Sequence, residues 1–255
     1  MHSPEDVVDF IDHYHIRYLP HLSIDCAVFC YHAQQLKVLL IRYYGHENWS
    51  LPGGFIQREE ALTHAAYRIL ADKTNITDSF LRQFYAFGDS STRLNRIEIQ
   101  ENHNKAYAKV NMALTDDHSL ANRTLSIGYY ALVDYEHVTI TPEFLVEEYC
   151  WCAVSALPQL QYDHNEIVDK AHAVLRLQAY QQPIACQLLP PKFTLPEIHA
   201  LYETLLSQSL DRRNFRKRLL SLGIIIQLDE QRNIGPHRSP YLYEFSIAPA
   251  EKGSG

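Results

Sequence analysis

A pair of prolines, Pro190 and Pro191, divides this chain into two parts of different character. Proline fits neither the interior of a helix nor a central strand, so a boundary between folding units is expected there. From Pro183 to Ile247 the chain has 8 Lys and Arg against 6 Asp and Glu, whereas the other residues have 15 against 24. A chain of 255 residues has room for two ordinary domains. These two domains are predicted to carry net charges of opposite sign.

Composition excludes several classes of protein. A hydrophobic fraction of 46% is typical of a globular chain, and no apolar run approaches the roughly 20 residues of a membrane span. The polar, acidic N-terminus does not resemble a signal peptide, so a cytoplasmic location is expected. The five cysteines form no C-x-x-C pair and are expected to be small core residues. The histidines, including His103 and His164, are expected at the surface, and no metal or cofactor is predicted.

The part before the prolines alternates between strand-like and helix-like patterns. Leu22–Tyr43 consists of two apolar β-rich runs around a polar turn, which predicts a hairpin. The apolar spacing in Glu59–Thr74 and in Asp163–Gln178 predicts two helices, each buried on one side. Further strands are predicted at Leu81–Phe87, Leu125–Asp134, Val138–Ile140 and Tyr149–Val154. The region is therefore predicted to be α/β with a mixed sheet, interrupted by a partly ordered insertion at 94–122.

The part after the prolines has the signals of a winged helix-turn-helix. Thr194 and Glu197 form a capping box with a proline in the first turn, which predicts the start of a helix. Asp211 is suited to cap a second helix, which Gly223 ends. An apolar run, a polar basic segment and a second apolar run follow, in the pattern of strand, wing and strand.

The second of these helices carries a dense group of cations. On a helix, Phe215, Leu219 and Leu222 are expected to face the core, with the basic side chains on the opposite arc. A lone charge run is often only a solvated surface, but on the second helix of a helix-turn-helix it is typical of DNA recognition. Asn214 is the candidate reader of a base edge. The predicted DNA-binding residues are Arg212, Arg213, Asn214, Arg216 and Lys217 on the helix, and Arg232, His237 and Arg238 on the wing. The predicted partner is a double-stranded DNA operator, bound by a homodimer because a two-fold operator needs two wings.

The loop LPGGF and the helix after it resemble the Nudix box. Gly54, Glu60 and Arg68 fall at the spacing of that motif, and Leu70 and Ile76 occupy its aliphatic positions. The resemblance implies an α/β/α sandwich for this part of the chain.

Three positions of this box depart from the pattern that supports hydrolysis. Nudix chemistry needs carboxylates on one helical face to hold Mg²⁺ beside a diphosphate, but here those positions are Ile69, Asp72 and Lys73. The glycine of the box is Asn75. The sequence therefore predicts that the protein is not an enzyme. The alternative is a Nudix hydrolase of the ADP-ribose pyrophosphatase type.

Two interpretations of the altered box stay open. The helix could only pack the core, with Arg68 and Asp72 as a surface pair four residues apart. Otherwise the fold keeps a pocket that binds a small ligand without cleaving it. The candidate ligand contacts are Arg42, Gly53, Gly54, Phe55, Arg93 and Arg123.

Over nearly its whole length the chain resembles the Nudix-related transcriptional regulators. The resemblance rests on LPGGF, on QFYAFGD, SIGYYALV and DHNEI, and on the winged-helix segment. It implies a small-molecule effector, which is ADP-ribose in some members and a sugar in others, and a regulator without a membrane part. The expected division is an N-terminal segment 1–22, a Nudix-like domain 23–180, a linker 181–191, a winged helix 192–248 and a tail 249–255.

Overall fold

The computed structural model describes residues 1–76, 80–140, 143–180, 184–233 and 239–246. The predicted tail, part of the predicted linker, and His237 and Arg238 of the wing lie outside the described residues. None of the described helices is long and apolar enough to cross a membrane.

The N-terminal part alternates strands with helices. Its elements are α1 (Pro4–Arg17), β1 (Tyr18–His32), β2 (Gln35–Tyr43), β3 (Gly53–Gln57), α2 (Leu62–Thr74), β4 (Phe80–Phe87), α3 (Ser91–Leu94), α4 (Arg96–Tyr107), β5 (Leu125–Leu132), β6 (Val146–Ala153) and α5 (His164–Gln178). The C-terminal part consists of β7 (Phe193–Thr194), α6 (Leu195–Leu206), α7 (Arg212–Ser221), β8 (Ile225–Gln231) and β9 (Tyr241–Phe245). The predicted fold class, an α/β domain with a mixed sheet followed by a winged helix, is confirmed.

The sheet of the first domain has helices on both faces. Its strand order is β4-β5-β1-β2-β6, with β3 also paired to β1, and β1 is parallel to β5. Side chains alternate along β1 because successive residues of a strand point to opposite faces. Cys26 and Val28 pack in a cluster with α2, whereas Ala27 and Phe29 pack in a cluster with α5. This arrangement is the α/β/α sandwich that the sequence predicted.

The segment 94–122, expected to be a partly ordered insertion, contains α4 and packs against α1. Asn95 caps α4, since its side chain accepts from the Glu98 N–H at 3.3 Å. Tyr107 of α4 and Leu120 pack against Val7 in one cluster with α1. The sequence prediction missed α1 and α4. The pattern of α4 gave no clear helical period because its buried residues include the polar Asn102. In α1 the buried residues Val7, Phe10, Ile11 and Tyr14 do have helical spacing, and the prediction overlooked it.

Four smaller expectations were wrong. Val138–Ile140 forms no strand, because Val138 and Ile140 pack against the α2 face without pairing to the sheet. His164 is buried and not solvated, since its Nδ1 accepts the backbone N–H of Leu51 at 2.9 Å. Leu222 is exposed because α7 ends at Ser221, one residue before it. Cys26 and Cys30 are buried as expected, but the other three cysteines are only partly buried.

The winged helix packs directly on α5, so one apolar core continues through both domains. Ile198, Leu201 and Leu205 of α6 belong to the same buried cluster as Val168 and Leu175 of α5. Two hydrogen bonds accompany this packing. The Tyr202 hydroxyl donates to the carbonyl of Ala179 at 2.8 Å, and His172 Nε2 donates to the carbonyl of Leu205 at 3.0 Å.

Candidate functional sites

A cavity of about 470 Å³ lies in the first domain, bounded by α1, the loop and strand at β3, α2, α4 and the start of α5. Its volume is within the range of small-molecule sites, about 300 to 1,000 Å³. Gly53, Gly54 and Phe55, three of the predicted ligand contacts, line this cavity. A Cβ atom at Gly54 would lie 3.1 Å from Ile69 Cγ1, so glycine permits the close approach of β3 to α2.

The box residues Glu60 and Arg68 are joined to each other. Arg68 donates from Nε and Nη2 to the two carboxylate oxygens of Glu60, each at 2.7 Å, and from Nη2 to the carbonyl of Phe55 at 2.9 Å. The Arg68 guanidinium holds the pKa of Glu60 below its usual value. The predicted pair of Arg68 and Asp72 is also present, at 3.6 Å. These contacts tie the loop after β3 to α2.

The altered box positions do not fit a magnesium ion. Ile69 is buried and apolar, and the carboxylate of Asp72 is paired with Arg68. Lys73 is buried, and its ammonium donates to the carboxylate of Glu143. Burial alone would lower the pKa of Lys73, but the neighbouring Tyr43 and Glu143 outweigh it and raise that pKa above its usual value. The positive charge of Lys73 would repel a divalent metal ion at this position. Such an ion also needs free oxygen ligands.

Metal-ligating side chains are also not grouped elsewhere in the part of the chain that is described. Within those residues, no three His, Cys, Asp or Glu side chains lie close enough to hold an ion.

Arg93 is the centre of a buried ionic network in the wall of the cavity. Its Nε donates to both carboxylate oxygens of Asp163, at 2.7 and 2.6 Å, and its Nη2 donates to Asp25 Oδ2 at 2.9 Å. Ser126 also donates to Asp25 Oδ2, at 2.5 Å. Burial would raise the pKa of Asp25, but His164 and Arg93 outweigh it and hold that pKa below its usual value. The sequence singled out Arg93 as a ligand contact and missed the two carboxylates to which it donates.

The other two predicted arginines do not line the cavity. Arg42 lies on β2, where it pairs with Glu148 at 2.8 Å and Glu147 at 3.5 Å. Arg123 donates from Nη2 to the carbonyl of Gly88 at 3.0 Å. The structure therefore brings together Gly53, Gly54, Phe55 and Arg93, but neither Arg42 nor Arg123.

In the C-terminal domain, α7 presents a basic surface. Its capping signals act as the sequence predicted, since Asp211 Oδ1 accepts the N–H of Asn214 at 2.9 Å. Phe215 and Leu219 are buried. The exposed residues on the opposite side include Arg212, Arg213, Asn214 and Lys217, which we call the α7 basic surface.

Two of the predicted DNA contacts bind within the winged helix. Arg216 Nε donates to the hydroxyl of Tyr243 at 3.1 Å, and its Nη2 donates to Gln227 Oε1 at 2.9 Å. Arg232 Nη1 donates to Glu197 Oε1 at 2.6 Å. These contacts connect α7 and α6 to the wing strands.

A sandwich that encloses a cavity at a Nudix-type loop, joined to a winged helix with an exposed basic helix, defines a transcriptional regulator with a ligand-binding domain. Residues 20–171 match the NUDIX domain family, and residues 185–245 match the NrtR DNA-binding winged helix domain. The chain belongs to the Nudix family and is a Nudix-related transcriptional regulator.

Several known proteins are similar to this chain over most of its length. The chain is 25% identical over 236 residues to a protein of Acinetobacter baylyi named ADPR responsive transcriptional repressor NtrR, covering 89% of this chain and 83% of the relative. The crystal structure of Shewanella oneidensis NrtR complexed with a 27mer DNA has a TM-score of 0.64 at 26% identity, covering 88% of this chain and 93% of that one. A MutT/nudix family protein from Enterococcus faecalis shares the fold, with a TM-score of 0.64 at 21% identity over 94% of this chain and 93% of that one.

Proposed function

We propose that this regulator binds an ADP-ribose-like effector in the cavity of its Nudix domain, does not hydrolyse it, and changes its affinity for DNA in response. The observation that carries the proposal is the buried pair of Lys73 and Glu143 at the box position where hydrolysis needs a free carboxylate. Together with Ile69, this pair leaves two box positions of a ligand-sized cavity without the free carboxylates that hold Mg²⁺ in hydrolysis.

Two observations support a small-molecule effector of the ADP-ribose type. The relative from Acinetobacter baylyi is named as ADPR responsive, and the cavity has the volume of a small-molecule site. A sugar, the other effector that the resemblance implies, is the competing candidate and is tested in the same experiment.

DNA contact is proposed for the α7 basic surface. Arg212, Arg213 and Lys217 are exposed and positioned to contact phosphates, while Asn214 lies near the start of the helix, where base readers sit in helix-turn-helix proteins. Arg216 and Arg232 would act mainly by holding the wing, because their guanidinium groups already donate within the domain. The proposal includes a cytoplasmic homodimer on a two-fold operator.

The hydrolase alternative and the effector are tested together on the full-length protein. Thermal shift with ADP-ribose and with pentoses identifies the effector, because a ligand at 100 times its Kd adds about 2.7 kcal/mol to the free energy of unfolding. Release of AMP is followed in the same samples with Mg²⁺ present. Stabilisation by ADP-ribose without AMP release supports the proposal, whereas steady Mg²⁺-dependent turnover contradicts it. Stabilisation by a pentose alone replaces ADP-ribose with a sugar effector.

A further inference from the structure

Two polar atoms of opposite hydrogen-bonding role lie next to each other in the cavity wall without bonding. His164 Nδ1 accepts the N–H of Leu51 at 2.9 Å, so His164 Nε2 carries the proton and is a donor. This Nε2 lies 3.6 Å from Asp25 Oδ1, which is beyond hydrogen-bond distance. The other carboxylate oxygen, Oδ2, accepts from Arg93 and Ser126 at 2.9 and 2.5 Å. Among the described residues, neither Asp25 Oδ1 nor His164 Nε2 has a hydrogen-bond partner.

Both atoms can be reached from the cavity. Asp25 and His164 line it, and 10% of the Asp25 side chain and 6% of the His164 side chain are exposed. In the described part of the chain, neither Asp25 Oδ1 nor His164 Nε2 is one of the unpaired side-chain atoms that are fully enclosed. Buried polar groups are nearly always paired. A free donor beside a free acceptor therefore indicates a ligand group that pairs with both.

The charges around the two atoms favour a neutral ligand group. Asp25 and Asp163 carry two negative charges against the one positive charge of Arg93. Burial keeps the pKa of His164 below its usual value, so the imidazole adds no charge. A phosphate would meet this excess of negative charge, and a cation at Asp25 Oδ1 would lie beside the Arg93 guanidinium. A hydroxyl is neutral and both donates and accepts, so it fits the two atoms.

We infer that Asp25 and His164 bind a sugar hydroxyl of the effector, which donates to Asp25 Oδ1 and accepts from His164 Nε2. Ser23 lies two residues before Asp25 on the same face of β1 and also lines the cavity, so the wall offers a further polar group to a neighbouring hydroxyl of the sugar. The ribose of a nucleotide and a free pentose both supply this chemistry. The inference rests on the proposed function for the location of the effector, and it makes Asp25 the residue that selects a sugar over a phosphate at this place.

The test is calorimetric titration of the full-length protein and its Asp25→Asn variant with ADP-ribose and with D-ribose. Asp169→Asn is the control, because it removes the same charge at an exposed position of α5 that does not line the cavity. Asp25→Asn should lower the affinity for ADP-ribose by about 10- to 100-fold, because the hydroxyl loses a bond to a charged acceptor. The control should change nothing. If a phosphate occupied this place, the loss of the negative charge would instead tighten binding.

A second measurement uses the natural protein alone and decides the question if Asp25→Asn does not fold. Analogues of ADP-ribose that each lack one ribose hydroxyl are titrated in the same way. One of them should bind about 10- to 100-fold more weakly than ADP-ribose. The melting temperature of the unliganded Asp25→Asn protein shows whether that variant is folded.

The outcomes separate this inference from the proposed function. Unchanged or tighter ADP-ribose binding by folded Asp25→Asn, or equal binding of all the analogues by the natural protein, overturns the hydroxyl site and leaves the proposed effector standing. Binding of D-ribose alone, weakened in Asp25→Asn, supports the hydroxyl site and contradicts ADP-ribose as effector. Failure of both ADP-ribose and D-ribose to bind overturns both.

Discussion

The guanidinium of Arg218 lies over the ring of Tyr180, with Cζ 3.8 Å from the ring centroid. Arg218 belongs to α7, and Tyr180 lies two residues after α5. The first residue of α5, His164, lines the cavity. A helix of 15 residues is about 22 Å long. One helix therefore reaches from the cavity to within two residues of the contact with α7, the helix proposed to contact DNA.

If α5 transmits the effector signal, Tyr180→Ala should weaken the response of DNA binding without weakening effector binding. Coupling of this kind typically changes affinity by about 5- to 150-fold, and the variant should bring that factor toward one. The measurement is a DNA titration with and without ADP-ribose, beside a calorimetric Kd for ADP-ribose. Leu177→Ala, at an exposed position of α5, is the control. A full response in Tyr180→Ala contradicts this route.

Two kinds of DNA contact are expected on the α7 basic surface, and substitutions can distinguish them. Arg213→Ala should weaken binding to all sequences alike and reduce the slope of log affinity against log salt by about 0.9, because each neutralised phosphate releases counterions. Asn214→Ala should instead relax the preference at one base position, at a cost of roughly 1 to 3 kcal/mol. Fluorescence anisotropy with an operator and with its single-base variants measures both. Binding that does not depend on salt is incompatible with the proposed interface.

The buried pair of Lys73 and Glu143 is open to a double-mutant cycle. Lys73→Met alone should lower the free energy of unfolding by about 3 to 5 kcal/mol, because the buried Glu143 carboxylate then keeps only the more distant N-terminal ammonium of Met1, at 3.7 Å. Adding Glu143→Leu should restore most of that loss, since neither charge then remains. Denaturant unfolding of the four proteins gives the coupling energy. Additive effects of the two substitutions would show that the pair does not interact as described.

Acid should destabilise the protein below about pH 6.5 in part through His103. Burial, with smaller contributions from His46 and His118 nearby, lowers the pKa of His103 to about 4. The unfolded state then binds the proton from about pH 6.5 downward while the folded state does not until about pH 4. Stability is therefore lost as the pH falls through this window, at up to about 1.4 kcal/mol per pH unit for one site. His103→Gln should flatten the dependence in denaturant titrations, and an unchanged slope would refute the assignment.

The parts of the molecule that were predicted correctly depend on neighbouring residues in the sequence. The capping box of Thr194 and Glu197 forms as expected, with the Thr194 N–H donating to Glu197 at 2.6 Å. The register of the box is also correct, since Gly54, Arg68, Ile69, Asp72 and Lys73 all line one cavity. Such signals involve residues close together in the chain, so they can be recognised in a single sequence.

The contacts that define the cavity could not be predicted in the same way. Lys73 and Glu143 are 70 residues apart, as are Arg93 and Asp163. The folding of the whole sheet brings the members of each pair together, so no local sequence pattern indicates that they are in contact. For the same reason His164 was expected at the surface, although it is buried at the start of α5.

In the proposed function, an effector held uncleaved in the cavity changes the affinity of the protein for DNA. The most direct test uses DNA that the full-length protein selects from a random library. The Kd for that DNA is measured with and without saturating ADP-ribose, while AMP release is followed in the same cuvette. We expect a change in Kd of about 5- to 150-fold, reversed when ADP-ribose is dialysed away, with no AMP formed. An unchanged Kd, or a change that appears only as ADP-ribose is hydrolysed, would contradict it.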